Sequence, residues 1–365
     1  MNFLKNIFGK KEEPIKSYGD FWAWFLNHEK TFYRILVEKG DIENDFFNKI
    51  SPKVSEIKEG LSFLTGISSD SKAELIITAN GIVKNFVFAE GLINEAPSIH
   101  NWKFAALIPP LNIKDVNIEM AGYKFNEHNL NFYSNEHPEF PDEVDITIVH
   151  NDCDQENKSI INNGIFVFLD NFLGELTLAE SVDNIDVACF DQTEKELIPI
   201  GKLKDYLKWR QKEFTEKYEG TKQTSDGDNY SILDGKLQNG DPLIAVINTD
   251  LLKWDSKASH PWILIIEIPY DGSQHKGLPD EKTYQLLDEL EKTILEELRP
   301  SEGFLNIGRQ TANNVREIYF ACNDFRKPST IIDNIQKDHA KQFDISHDIF
   351  IDKYWNTFDR FNPTS

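Results

Sequence analysis

The sequence predicts an α+β protein of two domains, and three observations support this prediction. Its 365 residues are 40% hydrophobic and 12% aromatic, which is enough apolar material for more than one core. Segments with helical periodicity alternate with short apolar runs typical of strands, in a mixed order. A polar stretch over residues 220–229 has the composition of a linker. We therefore predict a basic tail (1–16), an acidic α+β domain (17–219), and a second α+β domain (230–365).

The first domain is predicted to open with an aromatic helix. Ser17 and Asp20 have the spacing of a capping box, and aromatic residues recur behind them at near-helical spacing. Further helices are predicted over residues 42–59, 82–96, 160–173 and 202–217. Strands are predicted over residues 61–67, 74–78, 102–108, 129–133, 144–149 and 185–190.

The second domain is predicted to be a ferredoxin-like βαββαβ sandwich with an added N-terminal hairpin. The hairpin joins residues 230–233 to residues 243–248, and the six elements that follow span residues 262–268, 279–298, 304–309, 315–323, 328–339 and 343–350. Their order is the split βαβ pattern. The run Ile263-Leu-Ile-Ile266 is apolar on both faces, as a central strand requires, whereas residues 343–350 alternate like an edge strand. We expect the hairpin or the other domain to cover the second face of this sheet.

The C-terminal region also resembles a known family. Six motifs carry the resemblance: His260-Pro-Trp-Ile-Leu, Gly277-Leu-Pro-Asp280, Ile307-Gly-Arg-Gln-Thr311, Arg316-Glu-Ile-Tyr319, Asp352-Lys-Tyr-Trp355 and Phe361-Asn-Pro-Thr364. In their order and spacing, residues 225–365 resemble the bacterial domain of unknown function family six-nine-five, which offers no established catalytic residues. The fold and the acidity are remotely similar to RraB-type inhibitors of ribonuclease E. The N-terminal domain, with Phe21-Trp-Ala-Trp-Phe25, resembles an uncharacterised bacterial module.

Charge and cysteine content exclude some classes of function. The net charge is −22, and residues 17–219 carry −16 of it, which argues against direct nucleic-acid binding. No apolar run is long enough for a membrane span or a signal peptide. The three cysteines, Cys153, Cys189 and Cys322, are odd in number and widely spaced, so we expect reduced thiols and a cytoplasmic protein. The oligomeric state is left open.

Catalytic, metal and cofactor motifs are missing from the sequence. His150, Asp152, Cys153 and Asp154 lie close together, but zinc would need a second ligand pair that the sequence does not supply. Neither a GxSxG elbow nor a glycine-rich phosphate loop occurs. We therefore expect no catalytic residues, no metal and no cofactor, and we favour binding over enzymatic activity.

The leading candidate site is an acidic run without any Lys or Arg. We expect it to form one edge that engages a basic protein partner, with simple solvation of the surface as the alternative. Its eight acids are Glu136, Glu139, Asp142, Glu143, Asp145, Asp152, Asp154 and Glu156. The corresponding function is that of a non-catalytic protein-binding or regulatory protein, such as an acidic inhibitor of a nuclease or toxin.

A second hypothesis is an enzyme or small-ligand-binding protein with its site in the cleft between the domains. Arg309, Thr311 and Arg316 flank the predicted 308–316 hairpin turn, and two arginines there could grip a carboxylate or a phosphate. Ser273 lies in a polar loop and would be the fourth residue of this site. The alternative interpretation is that the arginines form salt bridges to nearby acids.

Overall fold

The computed structural model describes residues 14–68, 70–190, 195–218, 224–225 and 227–362. Most of the predicted basic tail and part of the predicted linker therefore lie outside the described residues. The chain divides into two compact units, residues 1–109 and residues 110–365. Both units combine helices with sheets, in agreement with the α+β class.

Within its described residues, the first unit contains three α-helices, a short π-helix (Glu43–Phe47) and a three-stranded sheet. Its helices are α1 (Tyr18–Glu38), α2 (Asn48–Ile57) and α3 (Val83–Asn94), and its strands are β1 (Ser62–Ile67), β2 (Ala73–Thr78) and β3 (Trp102–Ala106). Strand β2 is central, antiparallel to β1 and parallel to β3. The Ser17 side chain accepts a hydrogen bond from the Asp20 amide, so the predicted helix start is confirmed.

The second unit begins with a sheet that buries one strand completely. Its strands are β4 (Ile118–Met120), β5 (Tyr123–Phe125), β6 (Leu130–Asn135), β7 (Asp145–His150), β8 (Asn184–Cys189) and β9 (Ile198–Pro199), and its helices are α4 (Lys158–Leu173), α5 (Glu175–Ser181) and α6 (Leu203–Tyr218). Strands β4 and β5 pair separately, and the main sheet has the order β8-β7-β6-β9. Strand β7 is interior, and Phe168 of α4 and Leu207 of α6 belong to the core built around it.

Two of the three cysteines are joined, which corrects the expectation of three reduced thiols. Cys189 ends β8 and Cys153 follows β7, and because these strands are parallel and adjacent, both residues lie at the same end of the sheet. Their Cα atoms are 4.8 Å apart and the sulfurs form a disulfide. Cys322 is a buried free thiol, as its apolar strand predicts.

We expect this disulfide to stabilise the second unit. It closes a loop between positions 36 residues apart, so in the chain-entropy model its loss costs about 3–4 kcal/mol of unfolding free energy. The check is urea denaturation of the wild type with and without a dithiol reductant, beside the double variant Cys153→Ser/Cys189→Ser. The reduced wild type should match the double variant, and reduction should not affect that variant. An unchanged wild-type midpoint after complete reduction would contradict the prediction.

The second sheet of this unit has six strands and two long helices. Its elements are β10 (Tyr230–Lys236), β11 (Pro242–Asn248), α7 (Thr249–Leu252), β12 (Trp262–Pro269), α8 (Glu281–Glu297), β13 (Phe304–Ala312), β14 (Val315–Cys322), α9 (Arg326–His339) and β15 (Ser346–Ile351). The order is β10-β11-β13-β14-β12-β15, and neighbours are antiparallel. Helix α8 begins at Glu281 rather than at Pro279, because the Asp280 side chain accepts the Thr283 amide and caps the helix.

The C-terminal segment, not the hairpin, covers the second face of this sheet. Hairpin β10–β11 instead extends the sheet beside β13. Trp355, Phe358 and Phe361 are buried in one core with Ile263 of β12 and Tyr319 of β14. The expected covering by the hairpin is therefore wrong, because β11 pairs with β13 and β10 pairs with β11, so both strands lie within the sheet.

The predicted boundary near residue 220 falls inside the second unit, between its two sheets. Side chains from residues before position 220 contact side chains from residues after it, and these contacts connect the two sheets. Lys353, just after β15, lies 2.6 Å from the Asp183 carboxylate before β8. Arg326 of α9 lies 3.5 Å from Glu180 of α5. Residues 110–365 belong to one compact unit, and these ion pairs are among the contacts between its two sheets.

Candidate functional site

The best-formed candidate site is a cavity of about 350 Å³ between the loop after β6 and helix α6. We call it the acidic pocket. Its lining consists of Ser134, Asn135, Glu136, His137, Pro138, Phe140, Pro141, Glu143 and Arg210. The loop leaves the end of β6 and returns at the start of β7, so these side chains gather around one corner of the sheet.

A hydrogen-bonded network holds the floor of the acidic pocket. The Asp145 carboxylate accepts from Asn135 Nδ2 at 3.1 Å and lies 2.8 Å from His137 Nε2. Asn135 Nδ2 also donates to Thr147 Oγ1 at 3.0 Å. Asp145 and Thr147 are buried, whereas the His137 side chain is 44% exposed. The network therefore fixes the imidazole at the mouth of the cavity.

Glu143 and Arg210 form the wall of the pocket but do not pair through their charges. Arg210 Nη2 donates to the backbone carbonyls of Pro141 (2.6 Å) and Glu143 (3.0 Å). Among the described residues, no Lys or Arg forms an ion pair with the Glu143 carboxylate. Burial, reinforced by the nearby Asp183 carboxylate, raises the pKa of Glu143 above the usual glutamate value. The pocket thus holds a partly desolvated acid that forms no ion pair with a Lys or Arg of the described residues, although the nearby charges of His137 and Lys353 offset part of the rise in its pKa.

Asp142, unlike Glu143, has several hydrogen-bond donors around its carboxylate, and it links helix α6 to the segment that follows β15. Its carboxylate accepts from Lys217 at 2.8 Å, Tyr218 at 2.7 Å and Tyr354 at 2.8 Å. Burial alone would raise its pKa, but these three donors outweigh burial and hold the pKa of Asp142 below its ordinary value. Asp142 is therefore structural, although it lies one residue from Glu143.

The structure separates the eight acids of the predicted edge into two groups. Strand β7 is interior, so the groups lie at its two ends instead of along a sheet edge. Before β7, Glu136 and Glu139 are exposed and Asp142 and Glu143 are half-buried, and Asp145, the first residue of β7, is buried. After β7, Asp152, Asp154 and Glu156 are exposed.

The acids after β7 contribute to local chain geometry. Asp154 Oδ1 accepts the amides of Glu156 at 2.8 Å and Asn157 at 2.9 Å, which fixes the turn leading into α4. The Asp152 amide donates to His150 Nδ1, and His150 is completely buried. In the part of the chain that the structure describes, no group of three or more His, Cys, Asp or Glu side chains is arranged to hold a metal ion.

The arginines of the second hypothesis lie together and are paired with acids. Arg316 is fully buried, 2.6 Å from Asp288 and 3.3 Å from Glu291 on α8. Arg309 lies 2.8 Å from the same Glu291. Thr311 accepts from Arg316 Nε at 3.3 Å, so three of the four predicted residues meet under helix α8.

Ser273 lies apart from these residues, in an exposed turn. Its amide and hydroxyl both donate to Asp271 Oδ1, at 3.1 and 2.7 Å. Lys353, Tyr354 and Arg326 make side-chain contacts between the two sheets of the second unit. Arg309 and Arg316 lie elsewhere, against helix α8. The structure thus places salt bridges where the second hypothesis expected a free anion site.

A larger cavity of about 570 Å³ lies in the first unit, along α1. It is lined by Asp20, Trp24 and His28, and also by residues 14–16 at the boundary of the described chain. Since residues 1–13 lie outside the described residues, we assign this cavity no ligand.

Sequence reasoning missed His137, Asn135 and Arg210 as members of the site. His137 lies inside the acidic run and could have been included on proximity alone. Arg210 is remote in sequence and reaches the pocket only because α6 packs beside the 136–144 loop. No short sequence motif indicates that Arg210 contacts a loop whose Pro141 lies 69 residues before it.

The comparisons show that one part of the chain is similar to a known family. Residues 236–361, about a third of the chain, match the model of the family of unknown function DUF695. This match confirms the resemblance that the C-terminal motifs indicate. No curated protein and no solved structure matches the chain. Similarity to the RraB-type inhibitors stays a prediction. Across the described residues, no helix has both the length and the apolarity needed to cross a membrane.

Proposed function

We propose that the protein acts by binding a basic partner protein, with a lysine or arginine side chain of that partner entering the acidic pocket. One observation carries the proposal: Glu143 is half-buried in a cavity of suitable size, its pKa is raised, and no Lys or Arg of the described residues forms an ion pair with it. A desolvated carboxyl group is favoured in its neutral form until a cation arrives. An incoming guanidinium or ammonium would restore the ionised carboxylate at short range, where the attraction is strong.

Other walls of the pocket are also suited to a cation. The Phe140 ring lies 5.0 Å from that of Tyr354, which gives an aromatic surface over which a cation can lie. Glu136 and Glu139 are exposed on the same loop and would attract a positively charged partner during its approach. The Arg210 side chain already donates to two backbone carbonyls, which ties it to the wall.

The pocket favours binding over catalysis. His137 and Asp145 form a pair suited to proton transfer. The serine of the lining, Ser134, has its hydroxyl 2.8 Å from the Tyr206 hydroxyl and is directed to that group instead of to His137. We therefore assign the histidine a role in shaping the mouth of the pocket. Binding of a basic partner without catalysis is consistent with a regulatory protein, such as an inhibitor of a basic nuclease or toxin.

We further propose that residues 262–351 form a ferredoxin-like sandwich. The strands β13-β14-β12-β15 correspond to the order 2-3-1-4 of a βαββαβ unit, and every neighbouring pair is antiparallel. The hairpin β10–β11 is then an addition beside the second strand. An experimental structure with a different strand order would refute this assignment.

Binding of a blocked glycine-flanked arginine peptide tests the proposed function. By calorimetry at low salt, we expect the peptide to bind about tenfold more tightly than the same peptide with neutral citrulline. Glu143→Gln should remove most of that preference. Glu139→Gln is the matched control, since it makes the same charge change on the same loop outside the pocket lining, and its effect should be below about twofold.

The pH dependence of the same binding has a definite sign. Glu143 must be ionised to pair with the peptide, and its pKa is raised in the free protein. Affinity should therefore increase as pH rises through that pKa and level off above it. In Glu143→Gln this increase should be lost. Equal binding of the arginine and citrulline peptides would refute the proposal.

A further inference from the structure

We propose that Trp209 of α6 is a second contact point for the basic partner, where it binds an apolar side chain two positions from the basic residue in the acidic pocket. This inference rests on the proposed function, because it concerns the surface directly beside that pocket. Trp209 is 52% exposed, so a large aromatic side chain faces solvent there. Tryptophan is enriched among the residues that contribute most to protein–protein binding.

Arg210 connects Trp209 to the wall of the acidic pocket. The Arg210 guanidinium carbon lies 5.9 Å from the centre of the Trp209 ring. The same guanidinium donates to the backbone carbonyls of Pro141 and Glu143, two residues of the pocket lining. A partner segment whose basic side chain enters the pocket would therefore run close to the Trp209 ring.

Apolar surface continues from Trp209 across the sheet. The Tyr206 ring lies 6.1 Å from the Trp209 ring and 5.9 Å from the Phe132 ring. Ile198 of β9 pairs with Phe132 of β6, so these two side chains share one face of the sheet, and Ile198 is 38% exposed. We call Trp209, Tyr206 and Ile198 the apolar strip. The Tyr206 hydroxyl lies 2.8 Å from that of Ser134, so the strip borders the pocket lining at a second point.

The charges beside the strip select the chemistry of its occupant. Exposed Glu136 and Glu139 on the pocket loop attract a basic segment, whereas a second copy of this chain would bring its own net charge of −22. The positive charge of Arg210 beside the Trp209 ring disfavours a second basic side chain at that position. We therefore expect a basic residue in the pocket and an apolar residue over Trp209.

The spacing of these two partner residues follows from the geometry of an extended segment. Side chains two positions apart lie on the same face of a strand and are separated by about 7 Å. This separation is close to the 5.9 Å between the Arg210 guanidinium carbon and the centre of the Trp209 ring. A side chain at an adjacent position would instead point away from the strip.

Calorimetry of the full chain with three blocked arginine peptides tests the proposal. The first peptide has only glycine around the arginine, the second has leucine two positions before and after it, and the third has leucine at the adjacent positions. The second should bind about tenfold more tightly than the first. The third should gain less than about twofold, because its leucines point away from Trp209.

Two variants assign this gain to Trp209. Trp209→Ala should remove the advantage of the second peptide and should leave binding of the glycine-flanked peptide unchanged within about twofold. Phe166→Ala is the matched control, since it removes an exposed aromatic ring of α4 outside the pocket lining. It should preserve the full advantage of the second peptide.

The outcomes separate this inference from the proposed function. If arginine is preferred over citrulline but the second peptide gains nothing, gains no more than the third, or keeps its gain in Trp209→Ala, only this inference is overturned. If arginine is not preferred over citrulline in any peptide, the proposed function and this inference both fail. A dimer of the free chain that Trp209→Ala dissociates in sedimentation velocity would assign the strip to a second copy and overturn this inference as well.

Discussion

Replacing Lys353 by Met should lower the unfolding free energy by about 3–5 kcal/mol, because it leaves a buried carboxylate without its counter-charge. The side chains of Lys353 and Asp183 are 6% and 7% exposed, and their charged atoms lie 2.6 Å apart. Lys353 Nζ also donates to the Asp142 carbonyl at 3.0 Å. The second Asp183 oxygen, Oδ1, is buried and has no hydrogen-bond donor, so this carboxylate depends strongly on the lysine.

Urea denaturation followed by circular dichroism and tryptophan fluorescence measures this loss. Because the pair joins the two sheets of the second unit, the variant should also unfold less cooperatively, with the two probes separating. Lys327→Met is the matched control. It removes an equally short 2.7 Å pair with Glu302, but both partners are well exposed, so the effect should be much smaller.

A double variant distinguishes charge from packing. Asp183→Asn keeps an oxygen that can accept the Val144 amide, which now donates to the carboxylate at 2.7 Å. Lys353→Met/Asp183→Asn should therefore recover a large part of the stability that Lys353→Met loses. If Lys353→Met lowered the unfolding free energy no more than Lys327→Met does, this would contradict the claim that the buried ion pair holds the two sheets together.

Replacing Arg316 by Met should destabilise the second unit by about 3 kcal/mol or more. Arg316 is fully buried and forms ion pairs with Asp288 and Glu291. Its removal would leave Arg309 as the remaining cation beside these two carboxylates. Its guanidinium also lies 4.9 Å from the Tyr284 ring centre, so a favourable cation–π contact is lost with it. Arg309 remains beside Glu291 and limits the loss.

Arg309→Met is the matched control for this measurement. Its side chain is 23% exposed, so water can replace part of its interactions, and the loss should be smaller than for Arg316→Met. Thermal or urea unfolding compares the two variants. Equal and small effects would contradict a structural role for Arg316 and would favour the alternative hypothesis that the two arginines bind an anion.

The order of elements over residues 230–351 could be predicted because the signals there are local. The apolar run Ile263–Ile266 marks an interior strand, and Pro279 and Pro300 flank a segment of amphipathic period, although the helix itself begins after Asp280. The role of the C-terminal segment could not be predicted. Trp355 donates to the carbonyl of His260, 95 residues away, and only the folded sheet brings them together.

The candidate site could be predicted in part. The sequence indicates an acidic run over residues 136–156 and predicts one edge from it, whereas only residues of its first part, 136–143, line the pocket. It does not reveal that β7 pairs with β8 in parallel and becomes interior, which divides the acids and brings Cys153 to Cys189. Nor does it separate Asp142 from Glu143, since Lys217, Tyr218 and Tyr354 reach only the first of these neighbours.

The pKa of the Glu143 carboxyl group, measured with and without the arginine peptide, tests the central claim most directly. Carbon-13 NMR of glutamate-labelled protein follows the carboxyl resonance, and Glu143→Gln identifies it. We expect the Glu143 pKa to lie above the usual glutamate value in the free protein, to fall when the arginine peptide binds and to stay high with the citrulline peptide. An unchanged pKa at saturating arginine peptide would show that no cation reaches Glu143, and would contradict the proposed function.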